Sequence, residues 1–313
     1  MNETVLVKNL HIKAGKNTLV SKTSLTIKKG EIFGLVGESG SGKTITAKAI
    51  IDLLPEGLTY TADEIITAGK NILTASREEK KEHIGKNIGY IPQNTVFYLH
   101  PMIKIKNQIG DGYMYHMKKT KKEALKRAES LLIKVGFKSP KTVLNYYPWQ
   151  LSGGMRQRCN IAMALMNDPK LIIADEPSTA LDTTVQKQVM ELFKTINKSL
   201  GISMLLISHD LGLIKHYCHS IGVMYAGQII ESGSREELFN NPKHPYTQLL
   251  MKIVPSLSIK KNEPLTEIPG YVPEKGRDSK GCLFVKRCPK AMEVCSQTVE
   301  EHEEKGHYYR CNL

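Results

Sequence analysis

The sequence predicts an α/β fold, a mainly parallel sheet with helices on both faces followed by a small cysteine-rich extension. Apolar runs of strand length, Ile32–Val36, Leu171–Ala174 and Ile202–Ile207, alternate with helical stretches. Each run ends in glycines or in polar, ionisable residues, and the carboxyl ends of strands are where open α/β sheets bind ligands. The composition then shifts beyond Pro255, where prolines and lysines dominate through Gly276 and four cysteines crowd the stretch that follows. The expected domains are therefore residues 1–255 and 256–313.

The elements follow in order. Val5-Leu6-Val7 and Leu25-Thr26-Ile27 read as strands, Lys28-Lys29-Gly30 as a turn and Ile32–Val36 as a buried strand. A glycine-rich turn leads into a helix from about Lys43 to Leu54, stopped by Pro55-Glu56-Gly57. Residues 102–150 read as a helical insertion: Thr120 and Glu123 fit a capping box, Ala124, Ala128, Leu131, Leu132 and Val135 follow at helical spacing, and Gly136 fits a C-terminal cap. Strands return with Leu171–Ala174, ending in Asp175-Glu176, then a helix over about Thr184–Ser199, then Ile202–Ile207, ending in Ser208-His209-Asp210.

Apolar residues make up 41% of the 313 and charged residues 24%, the balance of a globular chain with a real core. The net charge of +13 suits anionic partners, namely nucleotide phosphates, nucleic acid or an acidic membrane surface, and equally a plain solvated surface. The lysines around the predicted helix (Lys118, Lys119, Lys121, Lys122, Lys126) have no interleaved aromatics to stack on bases, which argues against a nucleic-acid groove. No apolar run approaches the ~18 residues of a membrane span. The opening Met1-Asn2-Glu3-Thr4-Val5 has neither a basic nor an apolar signal region, so a cytosolic chain reaching the membrane through partners is expected.

Gly37-Glu38-Ser39-Gly40-Ser41-Gly42-Lys43-Thr44 satisfies the P-loop pattern between a strand and a helix. The glycines let backbone wrap a phosphate chain, and the helix N-terminus favours negative charge. Lys43 would reach the β- and γ-phosphates of ATP, and the Thr44 hydroxyl would ligate Mg²⁺. A second anion site is built into Leu151-Ser152-Gly153-Gly154-Met155-Arg156-Gln157-Arg158, where glycines and a serine open a helix over about Met155–Met166.

That segment resembles the LSGGQ signature of the ATP-binding cassette (ABC) ATPases, with Met155 in place of the usual glutamine, and the resemblance covers the first ~250 residues. It implies a P-loop NTPase fold with a RecA-like sheet, an antiparallel β subdomain and an α-helical subdomain at about 94–165. It also implies head-to-tail pairing of two nucleotide-binding domains. Ser152, Gly153, Gly154 and Gln157 would then act on ATP held by the partner's P-loop. Leu171–Glu176 resembles the Walker B strand: Asp175 would hold Mg²⁺ and Glu176 would activate water as general base. Gln93 matches the Q-loop, sensing Mg²⁺ and γ-phosphate, Asp182 the D-loop, and His209 the switch histidine. One departure stands out. The adenine-stacking aromatic of the family is replaced at the aligned position by Ala14, with His11 and Ile12 nearby, which predicts looser discrimination between ATP and GTP.

A single P-loop and signature, about 110 residues apart, exclude two-cassette and long coiled-coil ABC proteins. Tyr147–Ser152, Leu99-His100-Pro101, Met224–Gly227 and Asn241–Thr247 resemble the oligopeptide/dipeptide importer ATPases, while Asn94–Phe97 departs from their pattern. The tail, Ile268-Pro269-Gly270 and then Gly281–Pro289, resembles their C-terminal extension. The resemblance implies peptide cargo, two integral-membrane permeases, an extracytoplasmic substrate-binding protein, a homologous second ATPase or a second copy, and a place on the cytoplasmic face of the membrane. Import of nickel or a metal chelate is the alternative, and a soluble ATPase acting on nucleic acid a more distant one. Cys282, Cys288, Cys295 and Cys311 supply enough thiolates for a [4Fe–4S] cluster, and Cys288-Pro289 is similar to the end of ferredoxin runs. The gaps of five, six and fifteen residues suit zinc less well, and free thiols are the third reading.

Overall fold

The computed structural model describes residues 2–93, 98–179, 181–253, 268–273, 277 and 279–313. Two compact units result: one of Met1–Thr4, Ile27–Glu31 and Thr67–Leu206, the other of Val5–Thr26, Ile32–Ile66 and Ile207–Leu313.

In the first unit, strands Ile88–Ile91 and Leu171–Asp175 pair in parallel, with Ile88 opposite Leu171 and Ile91 opposite Ala174. Ser203–Ile207 follows on the far side of Leu171–Asp175. The last two strands are buried along their whole length, which is why they read as unbroken apolar runs. Among the described residues, helices Asp111–Met117, Lys121–Lys134, Pro140–Asn145 and Gly153–Ala164 fill the expected helical insertion, whose segment 94–97 lies outside the described residues. The Thr120–Glu123 capping box is formed in both directions, at 3.3 and 2.9 Å, and Ala124, Ala128, Leu131 and Leu132 face inward. A second capping box, Ser76 with Glu79, opens helix Arg77–Asn87, which buries no residue and so carries no apolar period to betray it. Helix Thr183–Leu200 starts one residue earlier than expected because Asp182 caps it, its Oδ1 accepting from the amides of Thr184 and Val185.

In the second unit, Ile32–Val36 runs parallel to Ser220–Tyr225, with Phe33 opposite Ser220 and Val36 opposite Val223. Ser220–Tyr225 then pairs antiparallel with Gln228–Ser234, which continues antiparallel to His307–Arg310 and Glu301–Glu304. The sheet is therefore mixed rather than mainly parallel on this side, and the final hairpin of the extension is part of it. Glu301-His302-Glu303-Glu304 has no apolar alternation, so nothing in the sequence marked it as a strand. A separate antiparallel set pairs Glu3–Ala14 with Asn17–Lys28 and with Leu58–Thr61. The helix after the P-loop ends at Ile50 rather than Leu54, because Asp52 turns the chain at φ 53°. The boundary expected near residue 255 falls within 254–267, outside the described residues.

Candidate functional site

The P-loop belongs to the second unit, and its glycines at 37, 40 and 42 take positive φ. Gly37 stands at φ 151°, and a β-carbon there would collide with the Met224 carbonyl. Gly42 stands at φ 106°, hemmed by Met224 and Val20. The Lys43 ammonium is buried in the loop and donates to the carbonyls of Gly37 (2.8 Å) and Glu38 (3.0 Å) and to Ser41 Oγ (3.4 Å). Thr44 follows in the first turn of helix Lys43–Ile50, and Ser39 and Gly40 complete the loop between Glu38 and Ser41. His209 lies exposed in the same unit, two residues beyond strand Ser203–Ile207 and just before Asp210, which caps helix Leu211–Tyr217.

The first unit gathers the acidic residues. The parallel register that sets Ile91 beside Ala174 carries Gln93 to the end of the Asp175-Glu176 strand. Gln93 Nε2 donates to Glu176 Oε2 at 2.9 Å, and Thr179 Oγ1 donates to the same oxygen at 3.0 Å. Glu176 itself adopts φ 47°, a left-handed conformation that a side chain with a β-carbon resists. Asp175 is 1% exposed and accepts from the Tyr90 hydroxyl at 3.4 Å; burial first, then this carboxylate, pushes the Tyr90 phenol up. Tyr90 and Thr179 are positioning partners that no spacing rule had marked.

The signature helix Gly153–Ala164 is capped by Ser152, whose Oγ accepts from the Met155 amide at 3.3 Å. A β-carbon at Gly154 would sit 2.7 Å from Val185 Cγ1, so this glycine permits the close approach of helix Thr183–Leu200. A β-carbon at Gly153 would meet Leu181 only at an ordinary contact distance of 3.4 Å. Gln157 is 1% exposed, and both of its amide atoms are buried without a hydrogen-bond partner among the described residues. Asp182 is occupied as a helix cap.

At the base-stacking position, Ala14 ends its strand opposite Leu58. Ile12 is fully buried and belongs to the core, so it is withdrawn as a base contact; His11 bonds Asn9 Oδ1 at 3.0 Å. Among the described residues, Cys282, Cys288, Cys295 and Cys311 line one small cavity with His244, Val285, Ala291 and Val299, all four as free thiols. Cys282 Sγ lies 3.8 Å from His244 Nε2, and its amide donates to the Cys295 carbonyl at 2.8 Å. Burial pushes the Cys282 thiol up to about 11. No group of three or more His, Cys, Asp or Glu among the described residues is placed to hold a metal ion.

The family model described as ABC transporter matches residues 20–179, just over half of the chain, and that described as oligopeptide/dipeptide transporter, C-terminal region, matches residues 230–295. The dipeptide transport ATP-binding protein DppD of Bacillus subtilis (strain 168) is 40% identical over 302 residues, 95% of this chain and 90% of its own. The oligopeptide transport ATP-binding protein OppD of the same organism is 42% identical over 281 residues, 90% of this chain and 78% of its own. Among solved structures, the dimeric post-hydrolysis state of the ATP-binding cassette MJ0796 bound to ADP and Pi superimposes with a TM-score of 0.64 at 26% identity, covering 74% of this chain and 98% of that one. The structure of cbiO1 from Clostridium perfringens gives 0.67 at 25% identity, covering 77% and 92%. The chain belongs to the ABC transporter family, in its oligopeptide/dipeptide branch, and is an ATP-binding, ATP-hydrolysing transport subunit.

Proposed function

We propose that this subunit powers uptake of di- and oligopeptides from the cytoplasmic face of the membrane. Its partners in this reading are two integral-membrane permeases, an extracytoplasmic substrate-binding protein, and a homologous second ATPase or a second copy of itself. The observation that carries peptide cargo is the match of residues 230–295 to the oligopeptide/dipeptide C-terminal region. No helix among the described residues is long and apolar enough to cross a membrane, so attachment through permeases is part of the proposal.

The roles follow from chemistry. The P-loop amides and Lys43 bind the phosphate chain, with Thr44, Asp175 and Gln93 as partners for Mg²⁺. Magnesium, when bound, neutralises charge on the transferring phosphoryl group. The buried Asp175 carboxylate at a strand end fits a hard cation. Glu176 takes the proton of the attacking water, aimed by the two donors on its Oε2. His209 contacts the γ-phosphate, and Asp182 relays between cassettes while capping its helix. Ser152, Gly153 and Gly154 serve the partner's nucleotide, whereas Gln157, 1% exposed, is buried and is withdrawn as a direct contact. In the assembled transporter, Glu176→Gln is expected to retain ATP and stop turnover; hydrolysis at the wild-type rate would remove Glu176 as the base.

The four cysteines around one cavity match the ligand count of a [4Fe–4S] cluster, although their side chains as placed form no metal-binding group. Anaerobically purified protein should then carry iron and sulfide with visible absorbance. Zinc content or iron-free thiols would replace that reading without touching the ATP site.

A further inference from the structure

The cysteine-rich extension reaches back, within the second unit, to the P-loop. Arg277, 7% exposed, donates through Nη2 to the Gly40 carbonyl (3.0 Å), through Nη1 to the Leu19 carbonyl (3.1 Å) and through Nε to the Pro273 carbonyl (2.9 Å). Its own carbonyl accepts from Gln228 Nε2 at 3.4 Å. Arg287, whose side chain is also 7% exposed, pairs with Glu38 Oε2 at 3.1 Å and donates to the Tyr225 hydroxyl at 3.3 Å. Its remaining donors grip the carbonyls of Pro269 (2.6 Å) and Ile268 (3.1 Å), and its guanidinium lies 5.7 and 5.8 Å from the rings of Tyr225 and Phe284. A third contact completes the set: the Glu38 amide donates to the Tyr246 hydroxyl at 3.0 Å, and Tyr246 packs against Tyr225 and Phe284.

We propose that Arg277 and Arg287 are positioning residues of the ATP site, holding the P-loop in its nucleotide-ready shape from the side of the extension. A loop with glycines at 37, 40 and 42 has little stiffness of its own, and ordering it on binding would cost conformational entropy. Two buried guanidinium groups bonded to Glu38 and to the Gly40 carbonyl meet that cost in advance, during folding. Charge-assisted bonds of this kind are among the strong ones, and the planar fork of arginine satisfies several acceptors at once. Only a residue with arginine's geometry reaches Glu38 and the Ile268 and Pro269 carbonyls together. Nucleotide affinity is therefore set partly by a segment that lies outside the ABC transporter match at 20–179.

The test uses the full chain for equilibrium ATP binding and the assembled transporter for hydrolysis. Arg277→Ala and Arg287→Gln are each expected to raise the Kd and KM for ATP about tenfold, with kcat at saturating ATP within about twofold; tenfold corresponds to about 1.4 kcal/mol. Arg287→Lys keeps the charge opposite Glu38 but loses the fork, and should fall between wild type and Gln. Glu38→Gln combined with Arg287→Gln should bind ATP no more weakly than the worse single variant, because both remove one interaction. Unchanged ATP affinity alongside a lowered melting temperature would make the arginines mere staples of the extension. Independent, multiplying effects of Glu38→Gln and Arg287→Gln would also overturn the proposal. If Arg287→Gln fails to fold, the Lys variant and Arg277→Ala decide by the same affinity readout.

Discussion

The glycines of this protein divide into two kinds, and Gly154 shows the second. Gly37 is needed both for its backbone angle and for space, whereas Gly154 is needed for space alone, since a β-carbon would meet Val185 at 2.7 Å. Gly154→Ala should destabilise the first unit by about 1–3 kcal/mol through overpacking. Val185→Ala should recover most of that loss in the same background, as thermal melting would show; no recovery would place the role of Gly154 elsewhere. At the base-binding end, Ala14 offers no ring, and Ile12 is committed to the core. Ala14→Tyr should tighten ATP binding by about fivefold or more, the scale of one stacking contact, and wild type should separate ATP from GTP weakly in competitive binding. A strong ATP preference in the wild type would show that another group reads the base. The P-loop and Asp175-Glu176 were legible as sequence because their chemistry is local. Tyr90 and the two arginines were not, because their partners come together through strand register and distant chain segments, as in the Tyr90–Asp175 bond across 85 positions; Thr179 stands only three positions from Glu176, but no motif marks its hydroxyl.

Helix Lys121–Lys134 was readable because two independent signals agree on it, an apolar face and a reciprocal capping box. Thr120→Ala should speed amide exchange in its first turns about fivefold, the usual scale of a lost cap. The box also has an acid limit. Backbone and side-chain bonds from Thr120, with Lys119, hold the Glu123 carboxyl down to about 2 from 4.5. A depressed value means the box contributes fully above about pH 4.5 and fades as pH falls towards 2. Protection of these amides should follow that window and be flat from pH 6 to 8. Helix Arg77–Asn87 and strand Glu301–Glu304 escaped notice for the opposite reason. The helix buries nothing and the strand reads as a charged run, so neither shows a period.

On the scale of the molecule, the expected parallel pairing holds for Ile32–Val36 with Ser220–Tyr225 and for Ile88–Ile91 with Leu171–Asp175, and gives way to antiparallel pairing where the extension joins the sheet. Parallel strands of buried apolar residues announce themselves, but Gln228–Ser234 and the final hairpin add antiparallel strands built on pairings such as Glu231 with Tyr309. The buried Glu231 carboxylate also accepts from the amides of Lys243 and His244 and contacts His307 at 2.8 Å, so the hairpin is anchored by polar contacts that composition cannot reveal. The extension is thus structurally continuous with the unit that carries the P-loop. The net charge of +13 found no role in the geometry described above.

In the proposed function, ATP hydrolysis at Glu176 drives peptide uptake. The direct measurement is ATP-dependent accumulation of labelled di- and oligopeptides, beside nickel, in proteoliposomes containing the complete transporter and its binding protein. Wild type should accumulate peptide but not nickel, and Glu176→Gln should accumulate neither while still holding ATP. Nickel uptake without peptide uptake would replace peptide as the cargo, and peptide uptake undiminished in Glu176→Gln would remove Glu176 as the base.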